Sequence, residues 1–455
     1  MLDGGSTWLV GGAVRDAILG VASTDIDLIV EGDAGAAAKR LASVLPGAAF
    51  SLSDQFGGWR VVPRSGGWQV DITPIAEGGL EQDLARRDFT VNAIARPLGG
   101  GAEIDPHGGR ADADARRLRA VSPVAFEIDP LRVMRLARIA ACMGFDVDAR
   151  SLELARASAG ALGSVAGERI LSEFLALLGA DDPVAAIGLL DATGGLRAVI
   201  PEVDELDGVG QSSYHHLDVW GHTLAVLGRV ADLQRDPTPL GPAGSQAGTI
   251  LREQLADGVD RWRAVRVAAL LHDIAKGRTR REFEGGRVGF PGHDTVGAEM
   301  TSAILRRLRA SSRLTDRVSA MTAHHLDAGF MTHRMPVDRR EIHSYLVASA
   351  DAAVDVTVLS VADRLATLGH KSEEAIAKHL EVTDQLLEAA VAAELNGLPR
   401  APIRGDELAA ELGIEQGPLL GTLIAELEGA VYAGQVSDRH EAIAWARRQL
   451  DSVGG

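Results

Sequence analysis

The sequence holds one cysteine, Cys142, so no internal disulfide is available and a reducing compartment is expected. Cys142 sits in an apolar helical run, which predicts a packed thiol rather than a reactive one. The start lacks the basic, apolar, small-residue pattern of a leader, and no apolar run approaches the length of a membrane span. The expectation is a cytoplasmic protein with no membrane partner. No internal repeat is present. Basic residues are in short supply: 46 Lys and Arg against 63 Asp and Glu give a net charge of −17. A chain that grips phosphate backbones normally carries a basic footprint, so a large, purely electrostatic nucleic-acid interface is disfavoured. Distribution counts for more than the sum, however. Arg110, Arg116, Arg117, Arg119, Arg132, Arg135 and Arg138 fall in one short region, where the commoner reading is a solvated helical face.

What is present is enough residues for two to four cores, at 455. A hydrophobic share of 46% beside a charged share of 24% is that of an ordinary globular chain. Strand and helix signals alternate at first. Trp8–Val10 and Ile26–Val30 read as strands, and Asp33–Leu45 as a helix with an acidic start and Pro46 beyond its end. Gly58–Pro63 and Trp68–Pro74 are β-rich runs joined by the turn signal RSGG. From Asp129 onward the strand signal vanishes and helical periodicity takes over, with one helix ending at Gly144 and others over Gly167–Leu178 and Val184–Leu190. The Pro/Gly-rich residues 235–248 read as a mobile loop between helices, and a Gly-Pro break divides two amphipathic helices in the last part.

The organising stretch is Leu9–Val30, LVGGAVRDAILGVASTDIDLIV. Strand alternation sets Asp25 and Asp27 on one face, where paired carboxylates suit divalent metal beside a polyphosphate. Gly11 and Gly12 let backbone N–H groups approach phosphate oxygens, the helix start adds partial positive charge, and Arg15 lies one turn in. Asp71, on a neighbouring strand, supplies a third carboxylate. Taken alone, a Gly-Gly turn and an exposed D-x-D also suit a solvated strand end. Together, GGAVRD and DIDLIV resemble the first motif of the tRNA nucleotidyltransferase and poly(A) polymerase family, the class that contains the bacterial CCA-adding enzymes.

Four later stretches follow that family's order. RRDFTVNA, Arg86–Ala93, resembles the element that selects ribose and contacts triphosphate, which implies roles for Arg87, Asp88 and Asn92. IDPHGGRADADARRLRAV, Ile104–Val121, resembles the flexible linker, whose glycines permit hinge motion. EIDPLRVMR, Glu127–Arg135, resembles the base-reading helix, implying that Asp129 and Arg132 face the Watson–Crick edge of the incoming base, with Arg135 and Arg138 also near the nucleotide. A carboxylate accepts from an exocyclic amine and a guanidinium donates to a ring acceptor, so one such pair reads cytosine and adenine. The chain departs from the pattern at Ile128, where the family has Glu; Glu127 is one residue early. GERILSEFLALL, Gly167–Leu178, resembles a helix-stabilising element in which Glu168 and Arg169 are structural.

A second centre lies downstream. YHHLDVWGHTL offers His215, His216 and His222; ALLHDIAKG carries His272 and Asp273 near the end of an apolar helix closed by Gly277; FPGHDTVG, TAHHLD and SVADRLA add His293, His324 with His325, and Asp363. Imidazole and carboxylate suit divalent transition metals. A lone helical histidine is usually structural, but this order resembles the His-Asp (HD) metal-dependent phosphohydrolase domain. That implies a divalent transition metal on His222, His272, Asp273 and Asp363, with His293 and His325 as further candidates and Lys276 as a phosphate contact.

The resemblance implies an α+β fold: a polymerase-β-like nucleotidyltransferase head built on a small mixed sheet (1–122), a helical neck with the base-reading motif (123–205), a helical HD domain (206–375) and a helical tail (376–455). It implies template-independent addition of CMP and AMP from CTP and ATP to the tRNA 3′ end, with Asp25 and Asp27 holding Mg2+ and Asp71 completing the catalytic set. An A-adding or poly(A)-type enzyme is the rival within the class, since Ile128 removes part of the base reader. An HD phosphodiesterase or phosphatase that uses the head only to bind RNA is the rival from another class.

Overall fold

The computed structural model describes residues 7–53, 57–211, 217–367 and 372–453. These divide into two compact units, residues 1–201 and 202–455.

The first unit is built on a six-stranded sheet. Its strands are β1 (Thr7–Val10), β2 (Asp25–Val30), β3 (Gly47–Ser53), β4 (Gly58–Pro63), β5 (Gln69–Pro74) and β6 (Ala95–Pro97), in the order β3-β4-β5-β2-β1-β6. Only β2 and β5 run parallel, so the sheet is mixed. The parity of β2 explains both faces. Leu28 and Val30 pack with Ala34, Ala37 and Ala38 of the helix Ala34–Val44, while Ile29 joins Trp8 and Val10 on the opposite side. Asp33 caps that helix by accepting the Ala36 N–H. Asp25 and Asp27 share the parity of Ile29 but occupy the strand's open end, where burial falls away. Helices Arg132–Met143, Ala149–Ser158, Gly167–Leu177 and Pro183–Ala192 complete this unit, the first ending on Gly144 in the left-handed conformation.

The second unit is mainly helical. Val219–Arg235, Arg261–Leu271, His293–Arg307, Ser312–His324 and Ala353–Ala366 pack together, and Gly405–Leu412, Pro418–Tyr432 and Arg439–Val453 close over Leu408, Leu423, Leu427 and Trp445.

Several expectations are corrected. Strand does not vanish after Asp129: Arg117–Leu118 pairs with Asp146–Val147, Gln254–Ala256 with Val259–Asp260, and Arg281–Phe283 with Arg287–Gly289. These ladders are two or three residues long, too short for a period-2 signal to emerge. The stretch 235–248 is folded rather than a free loop. It holds a turn of 3-10 helix (Thr238–Leu240) and the start of the helix Gly244–Ile250, with Leu240 and Ala247 buried. Gly277 does not close a helix; that helix ends at Leu271, and a Cβ on Gly277 would lie 2.2 Å from the Glu205 carbonyl oxygen. Cys142 is exposed, not packed. The helical run Arg339–Ala366 is long and apolar enough to span a membrane, but 78% of its apolar 18-residue window is buried inside the protein. It also carries Asp355, fully buried and paired with Arg261 at 2.6 Å and Arg317 at 3.1 Å. Within the linker element Gly109 serves close packing, since a Cβ there would lie 1.9 Å from the Thr90 carbonyl oxygen, while Gly108 takes a positive φ of +74°; Asp105 accepts the N–H groups of Gly109 and Arg110.

Candidate functional site

The first site grows from register. The parallel pairing of β2 with β5 sets Asp27 beside Asp71, and the antiparallel pairing of β4 with β5 sets Arg60 on the other side of Asp71. Arg60 donates to both Asp71 oxygens at 2.7 Å, a two-pronged pair that occupies the third carboxylate. Asp25 and Asp27 have no such partner among the described residues. Burial pushes the Asp27 carboxyl above its usual range; Arg87 opposes this, and the neighbouring Asp71 and Asp25 charges add to it. Two carboxylates on one strand, with the Asp25 charge adding to the cost of ionising Asp27, are a donor set that suits a divalent cation.

The turn beside them is shaped to fit. Gly11 has φ +71°, and a Cβ there would lie 2.8 Å from Asp27 Oδ2 and 3.0 Å from an Arg87 guanidinium nitrogen. Gly11, Asp27 and Arg87 therefore meet at one point. A cavity of about 370 Å3 opens there, lined by Asp25, Asp27, Asp71, Arg60, Arg15, Asn92, Arg135 and Arg138.

One carboxylate organises the cations. Asp88 is buried and accepts from the Phe89 N–H (2.8 Å), Asn92 Nδ2 (3.0 Å) and Arg135 Nε (2.9 Å). Burial opposes its ionisation, but the Arg135 charge and these donors outweigh it and hold Asp88 below the usual range. Arg15 donates to Asn92 Oδ1 at 2.9 Å and pairs with Asp16. Arg138 pairs with Glu173 at 2.6 Å. The arginine cluster divides: Arg110, Arg116 and Arg117 are exposed, as on a solvated face, yet Arg110 pairs with Glu103, Arg117 and Arg119 with Asp112, and Arg135 with Asp88.

Asp129 and Arg132, expected from the sequence to read the base, stand apart from the acids. Asp129 and Arg132 line a separate cavity of about 320 Å3 with Arg86, Arg87, Asp88 and Arg135; Arg135 borders both spaces. Asp129 pairs with Arg169 at 2.8 Å. Arg132 donates to the carbonyls of Arg86 (2.6 Å), Arg87 (3.0 Å) and Ala125 (3.1 Å). Ile128 is 57% exposed.

The second site converges from five helices. His222 Nε2 lies 2.9 Å from Asp363 Oδ1, and Asp273 lies 3.1 Å from His272 Nε2, 3.4 Å from His293 Nε2 and 3.8 Å from His325 Nε2. Their ligand atoms form two close sets, His222 with His272 and Asp363, and Asp273 with His293 and His325. The Nδ1 atoms of His272, His293 and His325 face the carbonyls of Ala269, Phe290 and Thr322 at 2.7–2.9 Å. Donating to those carbonyls leaves each Nε2 lone pair aimed at the centre, the arrangement of metal-bound imidazole. Nε2 of His272 and His293 and both Asp273 oxygens are buried without a well-formed hydrogen bond, so the donor set fits a cation. Burial opposes ionisation of Asp273, yet His272 and Lys276 hold its carboxyl well below the usual range. Lys276 reaches Asp273 at 2.7 Å and Gln211 at 2.8 Å. His324 turns away to Asp327 at 2.9 Å. His215 and His216 lie outside the described residues.

Residues the sequence reading missed are Arg60, Glu173, Arg364 and His379. Arg60 was accessible. The hairpin of Gly58–Pro63 and Trp68–Pro74 about the RSGG turn sets residue 60 opposite residue 71 once Pro63 faces Trp68.

Family models match along the chain: the Poly A polymerase head domain at residues 7–76 and 69–119, the probable RNA and SrmB-binding site of polymerase A at 144–206, and the HD domain at 219–368. The chain is 36% identical to an A-adding tRNA nucleotidyltransferase of Deinococcus radiodurans, over 98% of this chain and 96% of that one. It is 33% identical to a CC-adding tRNA nucleotidyltransferase of Thermus thermophilus, over 96% and 92%. Its fold matches that of a CCA-adding enzyme solved with ATP, with a TM-score of 0.65 at 20% identity, over 98% of this chain and 91% of that one.

Proposed function

The chain belongs to the tRNA nucleotidyltransferase and poly(A) polymerase family, and on that premise we propose that it adds nucleotides, without a template, to the 3′ end of tRNA from CTP and ATP in the cytoplasm. The observation that carries this reading is the cavity shared by Gly12, Arg15 and the Asp25–Asp27 pair, with Gly11 packed against Asp27 and Arg87 beside it. The RNA 3′-hydroxyl oxygen bonds to the α-phosphorus of the incoming nucleotide, and the bond to pyrophosphate breaks. Asp25 and Asp27 would hold Mg2+, which when bound neutralises triphosphate charge and eases loss of the hydroxyl proton. The chain's own groups do the positioning. The Gly11–Gly12 turn and Arg87 take the triphosphate, Arg15 supports the turn through Asn92, and Asp88 fixes Asn92 and Arg135 beside the ribose. Arg138, anchored on Glu173, adds positive charge to the same cavity.

Work divides along the chain: 1–122 for transfer, 123–205 for base reading, 206–375 for the HD centre and 376–455 as the tail. An A-adding enzyme is the second reading, favoured by Ile128 and by Asp129 lying under Arg169. Incubation of the protein with tRNA lacking its 3′ end, Mg2+ and single labelled nucleotides tests both. Uptake of CMP and then AMP supports complete CCA addition, AMP alone supports the second reading, and no uptake sinks the proposal.

The HD centre is read as a phosphohydrolase. His222, His272, Asp273 and Asp363, with His293 and His325, would hold a divalent transition metal, which when bound supplies an activated water for attack on phosphorus. Lys276, stacked over the Phe290 ring at 5.3 Å, faces the same cavity and meets the phosphate charge.

A further inference from the structure

The HD centre opens into a cavity of about 360 Å3. A second cavity, of about 470 Å3, adjoins it, and the two share Gly329, Arg364 and His379 as their common wall. Each is the size of a small-molecule site. Arg364 and Lys378 line the second cavity with His333 and His379, against one acid among the described residues, Glu374. That acid is itself engaged by Lys378 at 2.8 Å.

Arg364 is the informative group. It is half-buried, and its Nε is buried with no hydrogen-bond partner among the described residues. The one acid that bears on it is its chain neighbour Asp363, whose Oδ1 is taken by His222 at 2.9 Å. Two buried arginines of this unit are answered by carboxylates: Arg261 by Asp355 and Glu394, and Arg317 by Asp355 and Asp351. A guanidinium drawn partly out of water without such an answer is costly unless an anion completes it. Its forked donors suit a phosphate. His379, buried and held by Ser360 Oγ at 3.2 Å, fixes the wall on which Arg364 stands.

We propose that Arg364 and the cavity beyond it form a second anion subsite of the HD centre, which therefore takes a ribonucleotide unit carrying phosphate on both sides of its sugar. One phosphate lies at the metal-ligating cluster, near Lys276; the other meets Arg364 and Lys378. This rests on the phosphohydrolase reading only for the fate of the first phosphate. The same chemistry occurs in a free nucleoside bisphosphate and in the last unit of an RNA that ends in a 3′-phosphate.

The test uses the full chain with Mn2+ and measures binding calorimetrically. Adenosine 3′,5′-bisphosphate is expected to bind about tenfold or more tightly than adenosine 5′-monophosphate. In Arg364→Gln that ratio falls towards one, and Arg364→Lys restores part of it. Binding of either nucleotide to the head is common to all three chains and does not create the difference. Equal binding of the two nucleotides by the native chain, or an unchanged ratio in Arg364→Gln, overturns the subsite. Phosphate release from the same compounds is read alongside. If none is released but the ratio still depends on Arg364, the hydrolase reading fails and the subsite stands. A trinucleotide ending in a 3′-phosphate separates the two sources: competition with the bisphosphate assigns the subsite to RNA ends, and its absence assigns it to free nucleotides.

Discussion

The head and the HD centre both gather aspartates for a cation, and they do so in opposite ways. In the head, Asp25 and Asp27 sit on one strand, and burial, aided by the Asp71 and Asp25 charges and opposed by Arg87, makes Asp27 harder to ionise than a free carboxylate. In the HD centre, Asp273 and Asp363 are ringed by imidazoles and Lys276 and ionise more readily than usual despite deeper burial. The neighbours, not the residue type, set the direction. The head acids lie close together on one strand, whereas the HD centre is drawn from five helices spread over residues 219–366, with His222, His272, Asp273, His293 and His325 buried.

The sharpest way to break this comparison is to remove one aspartate from each site. Asp27→Ala is expected to lower nucleotide incorporation by about a thousandfold or more, with phosphate release by the HD centre left within about twofold. Asp273→Ala is expected to abolish phosphate release and bound transition metal, measured by elemental analysis, while incorporation persists. Loss of both activities in either variant ends the claim of two independent centres.

Next in size is Asp88→Asn, which leaves the Arg135 charge half-answered in a buried setting. It is expected to destabilise the first unit by about 3 kcal/mol at neutral pH in thermal or urea unfolding. Because the folded Asp88 carboxyl is held below its ordinary range, its contribution is whole above about pH 4 and fades as the pH falls through the folded value. The gap between native and Asp88→Asn chains therefore narrows on acidification and is constant towards neutrality. A gap that widens in acid refutes the assignment.

The smallest effect sharpens the contrast within the head itself. Arg60→Gln frees Asp71 and adds uncompensated negative charge beside Asp27. Incorporation is expected to fall about three- to tenfold with a changed Mg2+ dependence, and Arg60→Lys recovers part of it. A lower rate at an unchanged Mg2+ requirement would mean that Arg60 merely braces the hairpin.

Much of this was legible in the sequence because the informative spacings are short. The alternation of β2, the positive-φ glycine and the capped helix 34–44 follow from neighbours a few residues apart. The HD residues were legible by type and order, but not by side: His324 and His325 are adjacent, and only the helix phase turns one inward and the other to Asp327. Least legible were the partners. Asp129 meets Arg169 and Arg138 meets Glu173 across 40 and 35 residues, so the occupied state of the base reader cannot be read from its own motif. The two- and three-residue ladders and the folded stretch 235–248 were missed because tertiary packing, such as Gly241 against Asp384, decides them.

Gly11 has a further consequence, at the level of heredity. Its positive φ and the carboxylate 2.8 Å from where a Cβ would stand leave room for hydrogen alone. Every amino acid that a single-base change can substitute for glycine brings a Cβ. The codon for this residue can therefore drift silently but has no tolerated neighbour, so the turn over the aspartate pair is fixed by inheritance as well as by geometry.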